Sequence, residues 1–226
     1  MLGPFNYGIT ALFLVLIIIV FLVFRWRWSH SKEPFDTPAS LPQENVTEGY
    51  TTEAQRRHIQ ALIQQYAPNA KRILEIGFNA GHSADNFLKM NKDIQVVSFD
   101  LGEHDYGKPA KAYIDATYPG RHTLILGDST KTIPKYASSA PFDVIFIDGG
   151  HAYEVARDDL ENCRRLGHSQ TLLLMDDTVR TRPEWVRGHN EGPNRAWLEC
   201  LTKNKVREFG FVDYTDGRGM SWGKYT

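Results

Sequence analysis

The sequence predicts an α/β domain built on a doubly wound, mostly parallel sheet, and three observations lead there. Five short apolar runs, "RILEIG", "IQVVSFD", "HTLILGD", "FDVIFIDGG" and "QTLLLMDD", lack the alternation of half-buried strands and read as strands buried on both faces. Segments of helical character separate them, as crossover connections require. A pair of strand-like runs, "KVREFGFVDYT" and "MSWGKYT", flanks the turn "DGRG" and predicts an antiparallel hairpin.

Taken in order, the chain opens on a different kind of segment. Ile9 to Phe24, "ITALFLVLIIIVFLVF", carries no charge. Extended over residues 8–28 it gives about 20 residues, or about 30 Å of helix, enough to cross a bilayer once. Residues 1–28 are therefore expected to be a transmembrane anchor. A signal peptide would need a basic start and a small-residue cleavage site, which "MLGPFNYG" and "FRWRWSHSK" do not supply. Arg25, Arg27 and Lys32 after the span place the remainder of the chain in the cytosol by the positive-inside bias. Residues 29–49 are polar, carry Pro34, Pro38 and Pro42, and suit a tether; Asn45-Val46-Thr47 would accept a glycan only in the opposite orientation. The folded domain is expected over residues 50–226. Thr52 with Gln55 makes a capping-box pattern, and Ile59, Leu62, Ile63 and Tyr66 recur at helical spacing.

Composition narrows the function classes. With 26 Lys and Arg against 27 Asp and Glu, and no basic block, the electrostatic footprint of a nucleic-acid binder is missing. Cys163 and Cys200 form neither a metal-ligand spacing nor a disulfide framework.

In a doubly wound sheet, ligands bind outside the carboxyl ends of the strands. All five runs stop at polar chemistry: Glu75-Ile76-Gly77 followed by "FNAGHSA", then Asp100, Gly127-Asp128-Ser129, Asp148-Gly149-Gly150-His151 and Asp176-Asp177. One acid capping the next helix is ordinary. Five such ends around one crevice point to a site. Gly77 and Gly81 flank Phe78 and Asn79 where backbone must turn sharply, and the helix expected near His82 aims its N-terminus at the same place. The Gly-x-x-x-Gly spacing differs from a dinucleotide fingerprint.

From about Thr52 onward these residues carry a resemblance. "ILEIGFNAGHSA" resembles the S-adenosylmethionine loop of the class I methyltransferases, which share a Rossmann-like fold, and "LILGDSTKTIPKY" resembles the adenine-side segment of the metal-dependent O-methyltransferases related to catechol O-methyltransferase. The resemblance implies that Glu75, Gly77, Phe78, Asn79, Gly81 and Ser83 hold the amino-acid end of S-adenosylmethionine. Asp100 would meet the ribose, and Gly127, Asp128 and Ser129 the adenine, with Asp148 also beside the cofactor; a helix-capping role for Asp128 stays open. It further implies a divalent cation, magnesium by the hardness of the ligands, on Asp148, Asp176 and Asp177. His151 stands where the catechol enzyme has its general-base lysine, and a histidine, with an ordinary pKa of about 6.5, suits that task. A contact to the metal and a cap of the helix from Ala152 to Arg165 are the alternatives for His151. The "DGGHxYE" form is similar to O-methyltransferases acting on sugars of natural products.

There are departures. Asp177 replaces the family's usual asparagine, an extra negative charge that either tightens the metal or requires a further positive group such as Arg180 or Arg182. Gly150 replaces a bulky aromatic wall, which removes the packing surface for a catechol ring. Thr178 to Trp197 reads as a long acceptor loop whose Trp185, Arg187, His189 and Arg195 either grip a hydroxylated small-molecule acceptor or form a solvated surface. Two other functions fit the same residues: a metal-independent methyltransferase with Asp148 and His151 as acid and base, and a catalytically idle binding module displayed at a membrane.

Overall fold

The computed structural model describes residues 40–41, 51–215 and 217–226. The predicted anchor, the Asn45-Val46-Thr47 acceptor and all of the tether except Ser40 and Leu41 lie outside the described residues. Among the described residues no helix is long and apolar enough to cross a membrane.

The first helix, α1 (Glu53–Tyr66), starts on the predicted capping box: the Thr52 hydroxyl accepts from the Gln55 amide while the Gln55 side chain accepts from the Thr52 amide. Then β1 (Arg72–Ile76), α2 (His82–Met90), β2 (Gln95–Asp100), α3 (Gly107–Thr117) and β3 (His122–Leu126) follow, with a single turn α4 (Ser129–Thr132) running into a 3₁₀ turn at Ile133–Lys135. The chain continues through β4 (Phe142–Ile147), α5 (Tyr153–Arg164), β5 (Gly167–Asp176), α6 (Glu191–Thr202), β6 (Val206–Asp213) and β7 (Gly219–Tyr225). These strands form one sheet in the order β3-β2-β1-β4-β5-β7-β6. The first five are parallel, and β7 runs antiparallel between β5 and β6. The expected fold class is observed, with the hairpin continuing the sheet from β5.

The absence of alternation in the central runs has the anticipated cause. Ile73, Val144, Phe146, Leu172 and Leu174 face α1, α2 and α3, whereas Leu74, Ile145, Ile147, Leu173 and Met175 face α5 and α6, so successive residues of each strand are buried on opposite sides. Trp197 of α6 is fully buried in the second layer, where its indole N–H donates to Glu208.

Two expectations need correction. The segment from Thr178 is not a loop as far as Trp197: 3₁₀ turns occupy Pro183–Trp185 and Gly188–Asn190, and α6 begins at Glu191. Pro193 is tolerated there because proline in a first helical turn removes only an N–H that has no intrahelical partner. The helix after β4 begins at Tyr153 with Ala152 as its N-cap, so His151 does not cap it.

The start of α6 is seated on the backbone next to His151. A Cβ at Gly192 would lie 2.2 Å from the His151 carbonyl oxygen and 2.6 Å from the Tyr153 nitrogen. Gly192→Ala should therefore destabilise the domain by roughly 1–3 kcal/mol through overpacking, read as a lowered midpoint in urea unfolding.

Candidate functional site

Most of the predicted strand ends open onto one cleft of about 890 Å³, a size usual for a small-molecule site. Its first wall is the loop after β1. The Gly77 N–H donates to the Phe99 carbonyl at 2.8 Å, and with φ at +94° its α-carbon passes so close to β4 that a Cβ would fall 1.8 Å from the Asp148 carbonyl oxygen. No side chain fits there. Asn79 adopts a left-handed φ of 45°, which asparagine tolerates better than most residues, and Gly81 at +80° starts α2.

Asp100 organises this loop. One carboxylate oxygen accepts from the amides of Phe78 and Asn79 at 3.0 and 2.9 Å, and the other from the Gly102 amide at 2.7 Å. Three of about four acceptor positions are thus used by backbone, leaving limited capacity for a ribose hydroxyl.

Glu75 is placed differently from the expectation. It is fully buried and does not line the cleft; its carboxyl accepts from the Ser98 hydroxyl, which also lies 2.9 Å from His122 Nε2. Burial pushes its pKa up to about 7 against the opposing pull of Ser83 and Ser98. Ser83 does line the cleft. On the β3 side, Asp128 is the cap that the alternative anticipated, accepting from the Thr130 amide and hydroxyl and pairing with Lys131 at 2.8 Å, although it still borders the cleft. Those partners draw its pKa down to about 2.

The acids ending β4 and β5 meet at the other end. Asp176 is buried, and its pKa is pushed up to about 8 by desolvation and then by the charge of Asp177. Desolvation and the charges of Asp176 and Asp177 raise Asp148 in the same way. Asp177, held at φ 56°, presents one oxygen 3.2 Å from His151 Nε2 and the other 3.9 Å from His189 Nε2. The two imidazoles stand edge to face, centroids 5.9 Å apart. Among the described residues no three His, Cys, Asp or Glu side chains converge as a preformed ion cage. The fit to a hard divalent cation is therefore one of donor chemistry: clustered, desolvated carboxylates that repel one another.

The compensating cation is not the one expected. Arg180 pairs with Glu208 and stacks on Phe211, while Arg182 pairs with Glu184 at 3.8 Å and stacks on Trp185. Arg195 covers the Tyr153 ring at 3.9 Å and is likewise occupied elsewhere. Instead Arg218, beside the β6–β7 turn, lines the cleft and opposes the raised pKa values of Asp148 and Asp176. It reaches Gln55 Oε1 at 3.4 Å, and the Gln55 amide nitrogen contacts both Asp176 oxygens at 3.3 and 3.4 Å. Sequence reasoning missed both residues, because Gln55 was already explained by the cap and Arg218 by a turn. His189 is the one acceptor-loop candidate that reaches the acids.

Residues 74–178 match a family model described as a methyltransferase domain. A curated relative, the O-methyltransferase ankF of Aspergillus thermomutatus, is 26% identical over 112 residues, 49% of this chain and 46% of the relative; the chain spans about half the length of the curated relative it matches. Among solved structures, the O-methyltransferase from Bacillus cereus in complex with SAH superposes with a TM-score of 0.65 at 21% identity, covering 79% of this chain and 84% of that one. The O-methyltransferase TomG from Streptomyces achromogenes, involved in tomaymycin synthesis and solved with SAM, gives 0.63 at 18% identity, covering 78% and 82%. With the sheet order and the strand-end loops described above, these matches show that the chain carries a methyltransferase domain over residues 74–178 and shares the fold of S-adenosylmethionine-dependent O-methyltransferases.

Proposed function

We propose that the cleft methylates a hydroxyl oxygen of a small, hydroxylated acceptor and that a divalent cation, magnesium by ligand hardness, assists at the acid end. The observation that carries this reading is the meeting of Asp148, Asp176 and Asp177 with His151 at the end of the cleft away from Asp128 and Ser129. S-adenosylmethionine, when bound, supplies an electrophilic methyl group. The loop from Gly77 to Gly81 and the N-terminus of α2 would hold its amino-acid end, and Asp100 keeps that loop in shape. A cation on the three aspartates would supply Lewis acidity next to the acceptor.

The chain's own residues set up the proton transfer. His151, whose side chain is 45% exposed, accepts the acceptor hydroxyl proton on the ring nitrogen opposite Nε2, while Asp177 at Nε2 orients the ring and stabilises the imidazolium that forms. Arg218 and Gln55 hold Asp176 in place. Gly150 presents no aromatic wall to the cleft, its Cβ position lying 2.9 Å from Val155, so a sugar or other polyhydroxylated acceptor is a better match than a catechol ring. The predicted N-terminal segment, on this reading, ties the domain to a membrane with the cleft on the cytosolic side.

Methyl transfer from labelled S-adenosylmethionine to a panel of vicinal diols and hydroxylated rings tests the activity. Asp176→Ala should lower turnover on the order of 10²-fold or more while leaving the calorimetric affinity for S-adenosylhomocysteine within about threefold, and a chelator should reproduce the loss until magnesium is restored. Undiminished turnover in chelator would instead favour the metal-independent enzyme. The buried acids give an independent signature. Glu75 and Asp159, each raised to about 7, and Asp176, raised to about 8, keep their protons longer in the folded than in the unfolded chain. Their stabilising contribution is full below the ordinary carboxylate range and is lost as pH rises through 7 to 8. Metal-free protein should melt at a lower temperature at about pH 8 than at about pH 5, with Asp176→Asn flattening the difference. Removing residues 1–37, which keeps the buried Leu41, should shift the protein from the membrane pellet to the supernatant without changing turnover in solution.

A further inference from the structure

One buried carboxylate takes no part in the chemistry above. Asp159 of α5 is fully buried, and neither of its oxygens has a hydrogen-bond partner. Buried carboxylates are costly without partners, so an orphaned one calls for a group that completes it. Burial raises its pKa to about 7, which fits a site short of hydrogen-bond donors.

Its position is specific. A Cβ at Gly149 would lie 3.3 Å from one Asp159 oxygen, so the carboxylate sits directly behind the glycine that floors the cleft. The Ser129 hydroxyl is close enough to draw the acid's pKa down, yet short of bonding geometry. Ser129 and Gly149 line the cleft, whereas Asp159 does not, and a group with no exposure cannot touch a ligand itself. It can act only through a neighbour. Next to Ser129, Asp128 is engaged by Thr130 and Lys131, and the Thr130 hydroxyl is spent on Asp128. Ser129 therefore carries the hydroxyl at this edge that is available for a ligand.

We propose that Asp159 is a positioning residue that selects the base of the cofactor: it accepts a hydrogen bond from the Ser129 hydroxyl, so that the Ser129 oxygen turns its lone pairs toward the cleft and accepts from the exocyclic amino group of adenine. This role presupposes the S-adenosylmethionine site proposed above. A hydroxyl has one proton and two lone pairs, and committing the proton inward leaves only acceptor character outward. A purine with a 6-oxo group would then set oxygen against oxygen and be rejected. A hydroxyl free to rotate would accept either base.

The test is calorimetric titration of the full chain in detergent with S-adenosylhomocysteine and with its 6-oxo analogue S-inosylhomocysteine. Wild type should prefer the adenosyl compound by roughly tenfold or more. Asp159→Leu, which fills the space but accepts no hydrogen bond, should bring the ratio close to one, and Ser129→Ala should do the same, with no further change in the double variant. Thermal melts separate this from unfolding, and Ser129→Ala remains decisive should Asp159→Leu fail to fold. Failure of the wild type to bind S-adenosylhomocysteine would remove the cofactor reading and this role together. Tight binding with a ratio near one in wild type, or a wild-type ratio preserved in Ser129→Ala or in folded Asp159→Leu, would overturn this role alone.

Discussion

The close approach of two backbones, Gly77 against Asp148, is the constraint on which the site depends. The Gly77 N–H is spent on β2, and the Asp148 N–H donates to the Ile76 carbonyl, so three adjacent parallel strands end in one fixed relation. Only a residue without a side chain lets β1 and β4 stay that near while both chains turn outward. From that meeting point the loop toward α2 leaves in one direction and the Gly149-Gly150-His151 turn in the other. Both ends of the cleft are set by one contact.

Around it the chain concentrates negative charge in a poorly solvated place. Asp148 and Asp176 are each raised by burial and by their acidic neighbours, and Arg218 with Gln55 supplies the counterweight from elements distant in sequence. A protein would lose stability by such clustering unless a ligand were to gain from it. The same logic separates Asp128, which local partners hold well ionised, from the acids at the other end of the cleft.

Much of this was legible in the residues. Runs such as "FDVIFID" announce a strand covered on both faces, and their ends mark the cleft, because a period of two with no polar side leaves few other architectures. What stayed hidden was long-range. Nothing local tells that Gln55, already satisfied as a cap residue, extends its other amide atom to Asp176. Nor does a turn sequence tell that Arg218 enters the cleft while Arg180 and Arg182 turn to Glu208 and Glu184. Glu75 shows the reverse error: a strand-end acid aligned with the others turns into a covered face of the sheet and does not line the cleft, because neighbouring residues of a strand point to opposite sides and both sides here are packed.

The sheet order has a consequence for how the protein is made. The neighbour of β5 is β7, and the two are separated in the chain by α6 and β6. On the ribosome, β5 therefore emerges with one edge unpaired and keeps it until residues 219–225 have been synthesised. Through that interval Asp176 and Asp177 stand at the end of an open strand without Arg218. Closing the sheet and bringing Arg218 to its acids therefore both wait on the last strand of the chain.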